Sequence, residues 1–184
     1  MRHFPKPTIA GLRGLGIILI LFLIVGASAC KDPPGSGPQI GSRALAFSLQ
    51  DSKGRTWSLD SAKGRVVLLR FWADWCPSCR YEMPVIEKYF QRLSRQGFLV
   101  LAVNVKQSAQ VAEAFAAQMN ITFPIPLDRD GQLAMKYGVY ALPTNFLIDR
   151  QGIVREILIG EVFREEIHLT RMLQKFFPKE LSAP

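Results

Sequence analysis

Two short segments near residue 50 alternate apolar and polar side chains, the spacing typical of half-buried β-strands. AFSLQD at residues 46–51 and RTWSLD at residues 55–60 flank the turn-forming Ser52-Lys53-Gly54. This arrangement predicts an N-terminal β-hairpin. Two later runs, VVLLRFW (66–72) and FLVLAVNV (98–105), are almost continuously apolar and β-branched. They predict buried strands, the first of them central in a sheet.

Between these two strands, apolar residues recur at helical spacing, from Met83 through Ile86 to Leu93. The spacing predicts a helix from Cys76 to about Gln96, ended by Gly97. The rest of the chain predicts a helix over 107–119, an extended stretch over 121–128, a short helix over 132–137, a hairpin of 145–149 with 153–159, and an amphipathic helix over 161–177. Strands that alternate with helices and end in hairpins indicate an α/β fold with a central mixed β-sheet flanked by helices.

The N-terminal segment has the layout of an export signal: basic residues at 2, 6 and 13, the apolar run 15–25, and the small residues 26–30. Three interpretations stay open. Ala27-Ser28-Ala29 before Cys30 is similar to the lipobox of bacterial lipoproteins, with Ala27 where a larger aliphatic residue is commoner. The same alanines suit ordinary signal peptidase, and the uncharged stretch 14–30 is long enough to stay as a membrane anchor. Each interpretation places the folded domain outside the cytoplasm, tethered in the first and third cases.

Residues 31–42, KDPPGSGPQIGS, are rich in Pro, Gly and Ser and predict a flexible spacer. The expected organisation is a signal peptide or anchor at 1–29, a linker at 30–43, a folded domain at 44–177 and a C-terminal tail at 178–184. Lipidation of Cys30 would account for the odd cysteine among the three in the chain.

The charge of the chain, +8 overall, lies partly in the N-terminal segment, which has three of the 23 basic residues and no acidic one. No block of Lys and Arg interleaved with aromatic residues occurs, so we expect no nucleic-acid partner.

Cys76 and Cys79 lie in FWADWCPSCRYEMP and invite three interpretations. A zinc site needs four ligands, and the chain offers no second cysteine pair and only His3 and His168, so we expect no metal. A purely structural disulfide would gain little, because the loop it closes is very short. A redox dithiol is the interpretation that fits.

At the start of the predicted helix, Cys76 would face free backbone N–H groups and the positive end of the helix dipole, which favour its thiolate. Pro77 suits that first turn. Cys79 follows one turn later on the same face. We therefore expect Cys76 to be the exposed nucleophile and Cys79 to resolve the mixed disulfide, without a cofactor.

The motif Phe71-Trp72-Ala73-x-Trp75-Cys76-x-x-Cys79 is similar to the active-site motif of the thioredoxin superfamily. With Arg80, Glu82 and Pro84 after it, the pattern resembles the exported, membrane-tethered thiol–disulfide reductases of the TlpA/ResA group. Leu142-Pro143-Thr144, shortly after Tyr137-Gly138-Val139, resembles the cis-proline loop of the family, and residues 107–128 resemble its helix–strand insertion. The resemblance spans about 44–177 and implies a thioredoxin-like fold.

Site residues follow from this resemblance. It implies that Pro143 is a cis-proline facing the disulfide and that the backbone at Leu142 pairs with a substrate strand. It implies that Glu82 is catalytic, accepting or donating a proton for the buried sulfur. The implied substrate-binding surface comprises Trp75, Pro77, Leu142, Pro143 and Thr144.

Arg70 departs from the pattern of thioredoxin itself, which has an aspartate at this position. A buried, unpaired charge is too costly, so an arginine in a central strand must pair or reach solvent. One hypothesis is that Arg70 pairs with Glu82, keeps it ionised and tunes the dithiol. The alternative is that Arg70 points to solvent and Glu82 is an ordinary surface acid.

The resemblance implies an enzyme that reduces protein disulfides and is recharged by a thiol electron donor in the membrane. The haem-attachment cysteines of an apocytochrome c are the leading named substrate. Alternatives are a disulfide-forming oxidase, a thiol peroxidase, for which no separate peroxidatic cysteine loop is found, and a non-catalytic binding module on the same fold.

Overall fold

A computed structural model describes His3 and residues 37–182. The strands in the described part are β1 Ser48–Gln50, β2 Thr56–Ser58, β3 Val66–Trp72, β4 Phe98–Val105, β5 Leu127–Asp128, β6 Thr144–Ile148 and β7 Val154–Ile159. The α-helices are α1 Pro77–Leu93, α2 Ala109–Gln118, α3 Gln132–Lys136, α4 Glu166–Gln174 and α5 Pro178–Leu181.

A five-stranded sheet with the order β5-β4-β3-β6-β7 forms the centre of the domain. β3 is parallel to β4 and antiparallel to β6, so the sheet is mixed. All seven residues of β3 are buried, as expected for the middle strand of a sheet covered on both faces. The predicted α/β fold with a central mixed sheet is confirmed.

Each face of the sheet has its own apolar core. Side chains of β3 at Val66, Leu68 and Trp72 pack with α1, α4 and α5 on one face. The alternate residues Val67, Leu69 and Phe71 pack on the other face with α3 and with the hairpin of β1 and β2. The period-2 alternation of the strand therefore assigns each residue of the central run to one of two cores.

The last long helix begins later than predicted. Its expected start was Glu161, but α4 starts at Glu166. The physical reason is a competing acceptor: the backbone N–H groups of Val162 and Phe163 donate to the buried carboxylate of Glu82. Residues 160–165 are therefore a loop attached to the core.

Both ends of the predicted domain differ in detail. Gly41 N donates to Val154 O and Ala44 N to Gly152 O, both in the β6–β7 hairpin, so the second half of the expected linker is attached to the sheet. At the other end, residues 178–181 of the expected tail form α5, and Leu181 is buried in the core that also contains residues of α1 and α4. Residues 1–29 and Cys30, apart from His3, lie outside the described residues. No helix in the described part of the chain is long and apolar enough to cross a bilayer.

Candidate active site

A tight turn after β3 delivers the two cysteines. Cys76 N donates to Ala73 O over 3.3 Å, which closes the turn 73–76. Cys76 is the N-cap of α1, Pro77 is its first residue, and Cys76 Sγ accepts from Cys79 N at 3.3 Å. Cys76 and Cys79 form a disulfide with their Cα atoms 5.3 Å apart. The first sulfur therefore lies at free N–H groups of a 17-residue helix, where a thiolate is favoured.

The exposure of the cysteines differs from the expectation in one respect. Cys79 is fully buried, but Cys76, expected to be exposed, is only 2% accessible. In the disulfide its sulfur is bonded to Cys79 and lies 3.6 Å from Ser78 Oγ, so little surface is left. The neighbouring Trp75 is 69% exposed, and Pro77 is also exposed. The sulfur of Cys76 does not project into solvent, and another molecule can approach it beside Trp75 and Pro77.

The peptide bond between Leu142 and Pro143 is cis. Thr144 pairs with Phe71 across β3 and β6, so residues 142–143 lie at the end of β3 that carries the turn 73–76. Pro143 O accepts from Gly160 N at 2.8 Å, and Thr144 Oγ1 donates to Ala141 O at 2.7 Å. The N–H and C=O of Leu142 bond to none of the described residues. This loop is held in place and offers one unpaired backbone unit at the cysteine end of the sheet.

A buried ion pair lies beneath α1. Arg70 Nη1 is 2.8 Å from Glu82 Oε2, and both side chains are fully buried. The same Nη1 donates to Asn145 Oδ1 at 2.9 Å. Glu82 Oε1 accepts from the backbone N–H groups of Val162 and Phe163, each at 2.5 Å. The hypothesised pairing of Arg70 with Glu82 is present, and the alternative in which both face solvent is wrong.

Burial lowers the pKa of the Arg70 guanidinium, and the charge and hydrogen bond of Glu82 oppose that shift. A guanidinium keeps its proton in proteins, so Arg70 presents a cation to the Glu82 carboxyl group, and both oxygens of that group accept hydrogen bonds. Asn145 was missed in the sequence. The available signal was a polar side chain in an apolar strand, two residues after Pro143.

Among the residues that the structure describes, no group of three or more His, Cys, Asp or Glu side chains is placed to hold an ion. The geometry instead combines a dithiol at a helix N-terminus, a cis-proline loop and a buried carboxylate one turn after Cys79. These parts can perform thiol–disulfide exchange.

Comparison with known proteins points the same way. Residues 40–157 match the AhpC/TSA family. The thiol-disulfide oxidoreductase ResA of Geobacillus thermodenitrificans is 41% identical over 128 residues, which cover 70% of this chain and 74% of that protein. ResA of Bacillus subtilis is 34% identical over 155 residues, covering 83% and 87% respectively.

Among solved structures, one similar chain is a Chlorobium tepidum protein provisionally assigned as the thiol:disulfide interchange protein DsbE. It superposes with a TM-score of 0.69 at 32% identity and covers 79% of this chain and 100% of its own. The resemblance to the thioredoxin-like ResA group is confirmed. The chain therefore belongs to the AhpC/TSA family and is a thiol–disulfide oxidoreductase of the ResA and DsbE type.

Proposed function

We propose that this enzyme reduces protein disulfides outside the cytoplasm, with Cys76 as nucleophile and Cys79 as resolving cysteine. The observation that carries the proposal is the position of Cys76 Sγ at the N-cap of α1, where it accepts from Cys79 N, at the sheet end that carries the cis Leu142–Pro143 bond. In this arrangement the outer sulfur is activated and the inner sulfur is protected.

The chemistry balances as two exchanges. The Cys76 thiolate attacks one sulfur of the substrate disulfide, forms a mixed disulfide and releases the other substrate sulfur as a thiolate. Cys79 then loses its proton and attacks Cys76 Sγ, which frees the second substrate thiolate and leaves the Cys76–Cys79 disulfide. Two electrons pass to the substrate.

Glu82 and Arg70 serve the second exchange. A carboxylate has about four acceptor positions, and the contacts to Arg70, Val162 and Phe163 use three. One position remains to accept the proton of Cys79, which lies one turn away on the same helix face. Arg70 keeps the carboxylate ionised and balances its charge, so the pair tunes the dithiol.

The substrate contacts the surface around Cys76. Trp75 and Pro77 are exposed next to the sulfur, and Leu142, which is half-buried, is the part of the cis-proline loop that a substrate can reach. Pro143 and Thr144 are buried, so the expected surface position of these two residues is wrong, and they support the loop from within. An extended substrate strand can pair with the free backbone of Leu142 in the manner of β-strand addition. Tyr140, which is 82% exposed just before this loop, adds an apolar contact for the substrate. Cysteines in an unfolded segment, such as the haem-attachment site of an apocytochrome c, suit such a surface.

Tethering belongs to the same proposal. Residues 1–29 act as a signal peptide or anchor, and Cys30 is the site of lipidation if the segment is cleaved there. Attachment to the periplasmic side of a membrane raises the local concentration of a membrane thiol electron donor, which must reduce the Cys76–Cys79 disulfide after each turnover.

Trapping with Cys79→Ser tests the assignment of the cysteines. Without the resolving thiol, Cys76 should stay joined to its substrate, and non-reducing electrophoresis should show adducts that dithiothreitol removes. Cys76→Ser is the matched control and should give none. If Cys76→Ser formed the adducts and Cys79→Ser formed none, the assigned roles of the two cysteines would be reversed.

A further inference from the structure

The turn that carries Cys76 is held by a side chain from another part of the chain. Gln107 follows β4, and its Oε1 accepts from the backbone N–H of Asp74 at 2.9 Å. Its Nε2 donates to Oδ1 of the same residue. One amide side chain therefore binds both the main chain and the carboxylate of Asp74, across 33 positions of sequence.

The side chain of Gln107 is itself held by a second residue, Asn104. Asn104 Nδ2 donates to Gln107 Oε1 at 2.8 Å, and Asn104 is fully buried at the end of β4, where it pairs in register with Trp72. The two bonds received by Oε1 set the orientation of the amide, and its Nε2 must then face Asp74. We call Asn104, Gln107 and Asp74 the clamp.

The clamp acts on the backbone that aims the nucleophile. Asp74 and Trp75 are the central residues of the turn 73–76, which Cys76 N closes by donating to Ala73 O. If residue 74 rotates, the turn changes shape, and Cys76 Sγ moves relative to the N–H of Cys79 that it accepts from. None of the hydrogen bonds of the clamp reaches a sulfur, so its effect on reactivity is expected to pass through the backbone of the turn.

We propose that Gln107 is a positioning residue for thiol–disulfide exchange: through Asp74 it holds the turn 73–76 so that Cys76 Sγ faces the N-terminus of α1. The role rests on the proposed function of Cys76 as the attacking sulfur. It adds a residue from the β4–α2 connection to a site otherwise formed by the turn after β3, α1 and the cis-proline loop.

A four-variant cycle tests the contact: wild type, Gln107→Glu, Asp74→Asn, and the double variant. Gln107→Glu places two carboxylates together and removes the donor to Asp74. In the double variant, the amide of the new asparagine can donate to the new glutamate, which still accepts from the backbone N–H of residue 74 and from Asn104. The contact is then restored with its polarity reversed.

The readout is the pH profile of Cys76 alkylation by iodoacetamide in the reduced, full-length protein in detergent, resolved by peptide mass spectrometry because Cys30 and Cys79 also react. Gln107→Glu should move the profile to higher pH and slow alkylation at pH 7 by about fivefold, the loss expected for one net hydrogen bond. The same change made in the Asp74→Asn background should have an effect below about twofold.

Gln118→Glu is the matched control. Gln118 lies in α2 and accepts from Arg80 Nη1 at the surface, so an added charge there should leave the profile as in wild type. Effects of Gln107→Glu that are the same in both Asp74 backgrounds would show long-range charge alone and overturn the proposal. If wild-type alkylation occurs at Cys79 rather than Cys76, the proposed function fails instead, whatever the clamp does.

Discussion

At the scale of single residues, Arg70 and Glu82 are the least ordinary feature of the domain. A buried ion pair stabilises a fold weakly at best, because desolvation offsets the attraction, yet removal of one partner costs about 3–5 kcal/mol. Within the described residues, Arg70 binds Glu82 and Asn145 through Nη1 alone, and Nε and Nη2 have no protein partner. Glu82 lies one helical turn after Cys79 in α1, and the proposed role in thiol chemistry gives the pair a reason that stability does not.

Substitutions that remove opposite charges from the Arg70–Glu82 pair should shift the pKa of the Cys79 thiol in opposite directions. Glu82→Gln leaves the Arg70 cation unbalanced and should lower the Cys79 pKa, whereas Arg70→Gln leaves the Glu82 side chain without its cation and should raise the Cys79 pKa. Site-resolved alkylation of the reduced protein between pH 5 and pH 10 measures both.

Lys175→Gln provides the control for this pair of variants. It breaks the surface pair of Lys175 with Glu156 and should leave the cysteine profiles as in wild type. Profiles of Glu82→Gln and Arg70→Gln that coincide with wild type would contradict the assigned tuning role.

At the scale of elements, two hairpin turns use the same device. Asp51 Oδ1 accepts from the backbone N–H groups of Lys53 and Arg55, and Asp149 Oδ1 accepts from those of Gln151 and Ile153. In each case the second oxygen accepts from an arginine, Arg55 or Arg155. The carboxylate therefore adds to the backbone bonds of the turn, in which Gly54 N donates to Asp51 O and Gly152 N donates to Asp149 O.

The Asp149 turn should make folding sensitive to acid. Burial raises the pKa of Asp149, but hydrogen bonds from Ile153, Arg155 and Gln151 outweigh it, and the pKa is lowered. A lowered folded pKa gives stability that is present above the unfolded value of about 3.9 and is lost as pH falls through the folded pKa. Asp149→Asn should therefore cost about 1–2 kcal/mol at pH 7 and much less at pH 2.

Urea unfolding of the full-length protein in detergent at the two pH values measures this difference. Asp60→Asn is the control, because the Asp60 side chain is 80% exposed and its loss should change stability by under about 0.5 kcal/mol. An equal cost of Asp149→Asn at pH 7 and pH 2 would show that the carboxylate charge plays no part.

Elements with a local signal were predictable. The run 66–72 became β3 at the predicted bounds, and Gly97, in a left-handed conformation, ends the helical region after Gln96 as expected. The start of α4 was not predictable, because Glu82, some 80 positions away, takes the amides that a helix would use. The contact of Gln107 was not predictable for the same reason, because its partner Asp74 lies 33 positions away in sequence and only the fold brings the two together.

At the scale of the whole molecule, the sheet brings all parts of the site to one end. β3 ends in the cysteine turn, β4 ends next to the clamp, and β6 begins at the cis-proline loop. The largest exposed apolar side chains include Trp75, Tyr81 and Tyr140, from the turn, the helix and the loop. Of these, Trp75 directly precedes Cys76 and Tyr140 precedes the cis-proline loop, so these two belong to the segments that meet at the cysteine end of the sheet.

The direction of electron flow is a property of the molecule with its partners, since it depends on reduction potentials. The proposed function makes the protein a reductant, whose Cys76–Cys79 disulfide is reduced again by a thiol donor in the membrane after each turnover. If that proposal holds, its dithiol must be mainly reduced in living cells, although the proposed location outside the cytoplasm is an oxidising one.

The fraction of reduced dithiol can be measured directly: cells are quenched with acid, and free thiols are then labelled with a reagent that shifts the mass of the protein. The double variant Cys76→Ser/Cys79→Ser shows where the protein migrates when neither position carries a label. We predict that Cys76 and Cys79 are mostly reduced in cells with the membrane donor intact and become oxidised when it is removed. A pair that is fully oxidised while the donor is intact would contradict the account and identify the protein as an oxidant.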